Sequence, residues 1–359
     1  MVKHSTSKYI KIFLAGNVWW PFGSHGLHSL MRLHASYKSN CDKFLYFNNN
    51  HPGYSLFENK ISNYYKNISD PLDASITEFL LSHSEIQPCH NKNCIITLEI
   101  KNDKDFFIKN LEIYTHDKFF EEFAIGDIKL NELNLAECAR RLEPSEKVNA
   151  IVNKMHFTKQ IDRLNGNYIA AHIRWTDKVI GRSQEGIKHE PEEYLRHAFD
   201  LSEKFNTKSL VLNCDNIDAV NEFKKINKKL GYNLDIIYDE EEILPTDDWK
   251  NSLFQRWNYG NDALSDDKAS DIELQNDIIN GFKIYKSFMG SEAMIGCTSS
   301  AMYKLPFILR DNENDIDLDC PNENMSQRKS KFALQQWHLA DMTIRKQGLE
   351  EIKILQNKK

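Results

Sequence analysis

The sequence predicts an α/β protein made of doubly wound parallel sheets, arranged as two domains that face a cleft. Three observations predict it. Apolar runs of strand length alternate with amphipathic stretches of helix length, and strands separated by helices need the crossover connections of parallel sheets. The alternation runs through two cycles with a break near residues 145–165. The chain has 359 residues, enough for two buried cores at roughly 150 residues per domain.

Each element follows in order. Residues 9–15 (YIKIFLA) read as the first strand, followed by a loop through Gly23 and Gly26. A helix over about 26–39 carries Leu27, Leu30, Met31 and His34 at helical spacing, and 43–48 (KFLYFN) is the next strand. Between 50 and 145 the clearest strand is CIITLEI at 94–100. The second cycle opens with a strand at 167–173 (NYIAAHI) and a helix over 191–205, whose Tyr194, Leu195, Ala198, Leu201 and Phe205 share one face. A strand at 209–215, a helix at 216–230 and a strand at 234–238 follow, then a long polar segment, 239–272. A helix over about 273–289 leads to the strand AMIGC (293–297), a Thr298-Ser299-Ser300 turn and a short helix ended by Pro306. The expected division is 1–150, 151–327 and a helical tail, 328–359.

Composition excludes several classes. With 41% hydrophobic residues, 11% aromatics and a net charge of −6, the chain is globular rather than disordered. A mean hydropathy of −0.58, with no apolar run near the roughly 20 residues that span a bilayer, predicts no membrane span. A pI near 6.1 gives no bulk attraction to nucleic acid or anionic lipid, so an anionic ligand must be met by a local pocket. The first apolar stretch is interrupted by Lys11 and lacks a cleavage site, which predicts a cytoplasmic protein or the soluble part of a longer one. Seven cysteines are scattered along the chain, and Cys89 and Cys94 lack a second pair to complete a zinc site, so they read as free thiols. Sequons at Asn67 and Asn324 would matter only in a secreted protein.

The chemistry concentrates where apolar strands end. His172-Ile173-Arg174-Trp175-Thr176-Asp177-Lys178 follows a buried strand, at the position where open α/β sheets bind ligands. A guanidinium fork suits a diphosphate better than a flexible ammonium does. Thr298-Ser299-Ser300 precedes a helix and offers hydroxyls and backbone N–H groups to an anion; the same residues also read as a simple N-cap. Asp215 ends another strand, and Asp277 lies on the helix before AMIGC. Together these positions point to a phosphate or nucleotide site.

These residues resemble a known family. HIRWTDKV, then Glu185, His189 and Pro191-Glu192-Glu193-Tyr194, is similar to the first motif of the α1,6-fucosyltransferases, H-x-R-R-T-D-K followed by H-P-x-E-E-Y. Arg141-Leu142-Glu143-Pro144, SLVLNCDN, Asn276-Asp277-Ile278 and Cys297-Thr298-Ser299-Ser300 resemble further family segments in the same order, and Gly23-x-x-Gly26-Leu27-His28 resembles its Gly-rich first loop. The resemblance implies a GT-B-like fold of two Rossmann-like domains, GDP-fucose as donor, a glycan acceptor and inverting transfer with neither metal nor cofactor. It implies that Arg174 grips the diphosphate and that Thr298, Ser299 and Ser300 bind phosphate. Asp215 would hold the guanine or ribose side, Asp277 would support the site, and His172, Gly23 and Gly26 would shape the donor pocket. Lys178 and Glu185 would face the acceptor, with Glu185 as base and Asp177 or Glu190 as alternatives.

The family's second Arg is Trp175 here, which keeps open an inactive nucleotide-sugar-binding protein; a protein O-fucosyltransferase is the other alternative. Asp315-Ile316-Asp317-Leu318-Asp319 has the DxD spacing of metal-dependent glycosyltransferases, but it lies in a polar stretch beyond the phosphate turn and reads as a solvated loop. Trp249, Arg256, Trp257 and Tyr259 in the polar segment are types that stack on sugars.

Overall fold

The computed structural model describes residues 7–15, 22–46, 65, 68, 70–86, 93–101, 105–114, 135–175, 189–214, 216–240, 271–298, 300–310 and 312–319. Strand β1 (Lys8–Ala15), helix α1 (Phe22–Lys38) and strand β2 (Lys43–Tyr46) form the predicted crossover, and β1 and β2 pair in parallel. Helix α2 (Ala74–Ser82) leads to β3 (Asn93–Lys101) and β4 (Asp105–Tyr114), completing a sheet of order β2-β1-β3-β4. Here the all-parallel expectation fails, because β3 runs antiparallel to both β1 and β4. Only residues 102–104 separate β3 from β4, far too few for a crossover, so the chain must turn straight back. Side-chain alternation gives the sheet two buried faces. Phe13, Phe44 and Ile95 pack in the cluster that holds Leu30 and Leu33 of α1, whereas Ile12, Leu14 and Ile96 pack with Ile76 and Leu80 of α2.

The second half matches the doubly wound expectation. Helices α3 (Leu135–Arg141), α4 (Glu146–Val152) and α5 (His156–Asp162) precede β5 (Ile169–Ile173), α6 (Pro191–Phe205), β6 (Ser209–Cys214), α7 (Ile217–Leu230) and β7 (Asp235–Tyr238). Then come α8 (Asp271–Met289), β8 (Ala293–Gly296), α9 (Ala301–Arg310) and β9 (Ile316–Asp317). All five strands are parallel, in the order β7-β6-β5-β8-β9. The chain steps outward from β5 to β7, then returns to lay β8 on the other side of β5. That reversal is a topological switch point, which opens a crevice at the carboxyl ends of β5 and β8.

Local chemistry sets the ends of these helices. Pro191 occupies the first turn of α6, and Asn206 ends that helix in the left-handed region at φ 51°. Asn216 caps α7 by accepting from the Asp218 and Ala219 N–H groups. Pro306 does not end its helix, as the sequence suggests; α9 continues through it to Arg310. Pro306 forfeits one helical hydrogen bond, but Tyr303, Leu305, Phe307 and Ile308 are all buried and hold the helix.

Both faces of β5 are buried, and successive side chains pack on opposite sides. Ile169, Ala171 and Ile173 face α6 and α7, whereas Ala170 faces α8 and α9 with Val211 and Met294. The cluster that contains Phe13 and Phe44 of the first sheet also contains Ile278 and Phe282 of α8 and Leu305 and Ile308 of α9. The core of the first sheet therefore extends onto α8 and α9, whose other residues pack under the parallel sheet. Among the described residues no helix is long and apolar enough to cross a membrane. The cysteine expectation needs correction at one position: Cys94, fully buried in β3, is disulfide-bonded, while Cys41, Cys138, Cys214 and Cys297 carry no disulfide.

Candidate functional site

The crevice is built from strand ends. His172 is the fourth residue of β5, and its Nε2 lies 2.8 Å from Ser300 Oγ, across the switch point. Its ring stacks on Tyr303 and meets Phe288 edge-on. Burial, reinforced by the nearby Arg174 cation, lowers the His172 pKa to about 3. The ring is therefore neutral at any physiological pH and acts as a fixed hydrogen-bonding post for Ser300. Arg174, two residues on, shares the His172 face by strand alternation and is half-buried.

Trp175 points the other way. It packs against the α6–α7 side of the core and donates its indole N–H to the His189 carbonyl at 3.3 Å. Trp175 thus ties the end of β5 to the start of α6.

The turn after β8 is held from below. Thr298 gives both donors to one carboxylate: its N–H to Asp317 Oδ1 at 3.0 Å and its hydroxyl to Asp317 Oδ2 at 2.7 Å. Ser300 donates its N–H to the Cys297 carbonyl, and its own carbonyl accepts from Lys304, which starts α9. The first N–H groups of a helix have no partner within the helix, so the start of α9 presents donors beside Ser300. Burial, with Asp319 close by, raises the Asp317 pKa, and the Thr298 hydrogen bonds only partly oppose this.

The solvated-loop reading of 315–319 is therefore wrong: Asp315, Asp317 and Asp319 are all buried. Asp315 accepts from Met294 N–H and from Arg310, so each carboxylate is satisfied by groups brought from other elements. The sequence reading missed Asp317, although the strict alternation of Asp with Ile316 and Leu318 was a strand signal.

The other predicted residues divide cleanly. Gly23 and Gly26 lie within the opening turns of α1 rather than in a loop. Asp277 is half-buried on α8, ten residues before Ser287, which bonds Asn213 at the end of β6. Its neighbour Ile278 packs in the core shared with α1. Arg141, in the upstream motif, is engaged with Glu137 at 2.8 Å and Asp70 at 2.9 Å. Lys178, Glu185, Asp177, Asp215 and Ser299 lie outside the described residues, as do the tail 328–359 and the aromatic residues of the polar segment. Glu190 is exposed immediately before α6.

No protein-family model matches the sequence, and no curated protein matches it. Among solved structures the chain is similar to the crystal structure of NodZ alpha-1,6-fucosyltransferase soaked with GDP-fucose. The two share 8% identity over 88% of this chain and 97% of that chain, with a TM-score of 0.42. The likeness is a loose one of overall fold.

Proposed function

We propose that the protein transfers L-fucose from GDP-fucose to a hydroxyl of a glycan, in the inverting manner of the α1,6-fucosyltransferases that its motifs resemble. One observation carries the reading: His172 and Ser300, 128 residues apart in sequence, lie 2.8 Å from each other at the switch point of a parallel sheet, with Arg174 two residues beyond His172 on the same strand end. The acceptor oxygen would attack the anomeric carbon while the bond from that carbon to GDP breaks. The hydroxyl proton would pass to a carboxylate, Glu185 or its alternatives Asp177 and Glu190. Charge builds on the departing diphosphate, so donors fixed in advance on that side supply the largest part of the rate. Arg174 and the N–H groups of α9 fill that role, with neutral His172 keeping Ser300 in place. Thr298, its donors spent on Asp317, shapes the turn. Asp277, on α8, supports the site.

Trp175 favours a second reading, a module that binds the nucleotide sugar without turnover, because its side chain is committed to the core and supplies no cation. Disulfides persist mainly in oxidising compartments, so Cys94 favours such a compartment over the cytoplasm. Calorimetry with GDP, GDP-fucose and UDP, followed by GDP release with an oligosaccharide library, tests the reading. Binding of both guanine ligands and not UDP, with acceptor-dependent release, is the expected result. Absence of GDP binding overturns both readings, and binding without release on any acceptor selects the second.

A further inference from the structure

Beside the crevice, on the far side of the Thr298 turn, three side chains from distant parts of the chain converge. His189 stands just before α6, Cys297 at the end of β8 and Asp319 just beyond β9. All three are buried, and one ligand atom from each lies within 4.8 Å of the others. His189 Nε2 is 3.1 Å from Asp319 Oδ1. Tetrahedral zinc with bonds of about 2.0–2.3 Å sets its ligands roughly 3.3–3.8 Å apart, so the cluster needs little movement to close on an ion.

We propose that His189 Nε2, Cys297 Sγ and Asp319 Oδ1 bind a structural divalent metal of the zinc type, with water as the fourth ligand. Three features beyond proximity support this. The donor set mixes thiolate, imidazole and carboxylate, which suits zinc rather than magnesium or calcium. Glu193 Oε2 sits 3.0 Å from the other ring nitrogen, Nδ1. That is the carboxylate–histidine arrangement which fixes the tautomer and orientation of a metal-bound imidazole. The Tyr194 hydroxyl lies 3.3 Å from Cys297 Sγ, placed to donate to a thiolate.

The charges also fit. Two carboxylates, Asp319 and Glu193, and a buried sulfur surround a single imidazole. On binding, the thiol and the imidazolium each release one proton to solvent as the metal–sulfur and metal–nitrogen bonds form. Glu193 retains the Nδ1 proton by hydrogen bond. The ion would pin the start of α6, the end of β8 and the loop after β9 together, fixing the turn that carries Thr298 and Ser300. This inference stands apart from the donor reading and holds whichever sugar, if any, is transferred.

The test uses the full chain, stripped with a chelator and titrated with cobalt(II). A thiolate-to-cobalt charge-transfer band is expected at one cobalt per chain, displaced by zinc. Cys297→Ala should abolish the band, while Cys41→Ala and Cys214→Ala should retain it. Wild-type protein that shows no band overturns the proposal even if Cys297→Ala fails to fold. A band that is lost in Cys41→Ala or Cys214→Ala, or that survives Cys297→Ala, overturns it as well.

Discussion

The two sheets use their polar residues in different places. In the mixed sheet the buried charge lies along a strand: Glu99, inside β3, is held by Lys109 at 2.7 Å and Lys101 at 3.7 Å. In the parallel sheet the buried polar groups stand at one edge, where His172, Ser300, Thr298 and Asp317 interlock. Topology accounts for the difference. Parallel strands all end at the same edge, so five loops can pool their side chains, whereas an antiparallel hairpin sends its turn to the opposite edge. Chemistry should therefore be sensitive at the parallel edge, and stability within the mixed sheet.

The sharpest way to break this contrast is Arg174→Ala. It should lower the rate of GDP release by about 10²–10³-fold and leave the melting temperature close to wild type. A rate near wild type would end the functional reading. Phe13→Ala, in the mixed sheet, should do the reverse. It should cost about 3–5 kcal/mol in denaturant unfolding, because Phe13 is fully buried and stacked on Phe44 at 5.7 Å. Its activity per folded molecule should be unchanged. Gly296→Ala probes the boundary between the two behaviours. An added methyl would sit 2.4 Å from Tyr303 Cδ2, so either the ring or the strand must shift. Overpacking of this kind costs about 1–3 kcal/mol, and the shift should also disturb the Thr298 turn, which a parallel loss of GDP affinity would reveal.

The smallest effect is a slope with pH. His172 has its pKa lowered to about 3 from an ordinary 6.5, so below pH 6.5 the unfolded chain binds a proton that the folded chain refuses. The stability this contributes is present above pH 6.5 and is lost as pH falls towards 3, at about 1.4 kcal/mol per unit. Asp317 is raised instead, so its contribution is present below the ordinary carboxylate range and is lost as pH rises. The two oppose each other between about pH 4.5 and 6.5. Asp317→Asn should therefore steepen the acid sensitivity in that window, measured by denaturant titration at several pH values. An unchanged slope would show that the Asp317 carboxylate is not held protonated there.

Much of the parallel sheet was legible in the sequence. Its strands are short apolar runs between amphipathic helices, and the α6 boundaries follow from Pro191 at one end and Asn206 at the other. The positions of Arg174 and Ser300, each just beyond a parallel strand's carboxyl end, were legible because they follow from topology. The β4 strand was not. Its residues alternate between half-buried and exposed, with Lys109, Asn110 and Glu112 among them, so periodicity gives little contrast. Asp315, Asp317 and Asp319 were misread for a different reason. Their burial depends on donors supplied from elsewhere by Met294, Thr298 and Arg310, and no local pattern announces a partner that arrives through the fold. His189 and Asp319 are 130 residues apart, so their meeting could not be read from spacing.

Helices α8 and α9 belong to two cores at once. Phe288 and Phe307 pack beneath the parallel sheet, while Phe282 and Leu305 pack with Phe13 and Phe44 of the mixed one. Cutting the chain between the sheets would strip apolar surface from both products, so neither half is a self-sufficient folding unit. Cooperativity is shared across the molecule, so a lesion in one sheet's core lowers the unfolding free energy of both while the folded form keeps its order.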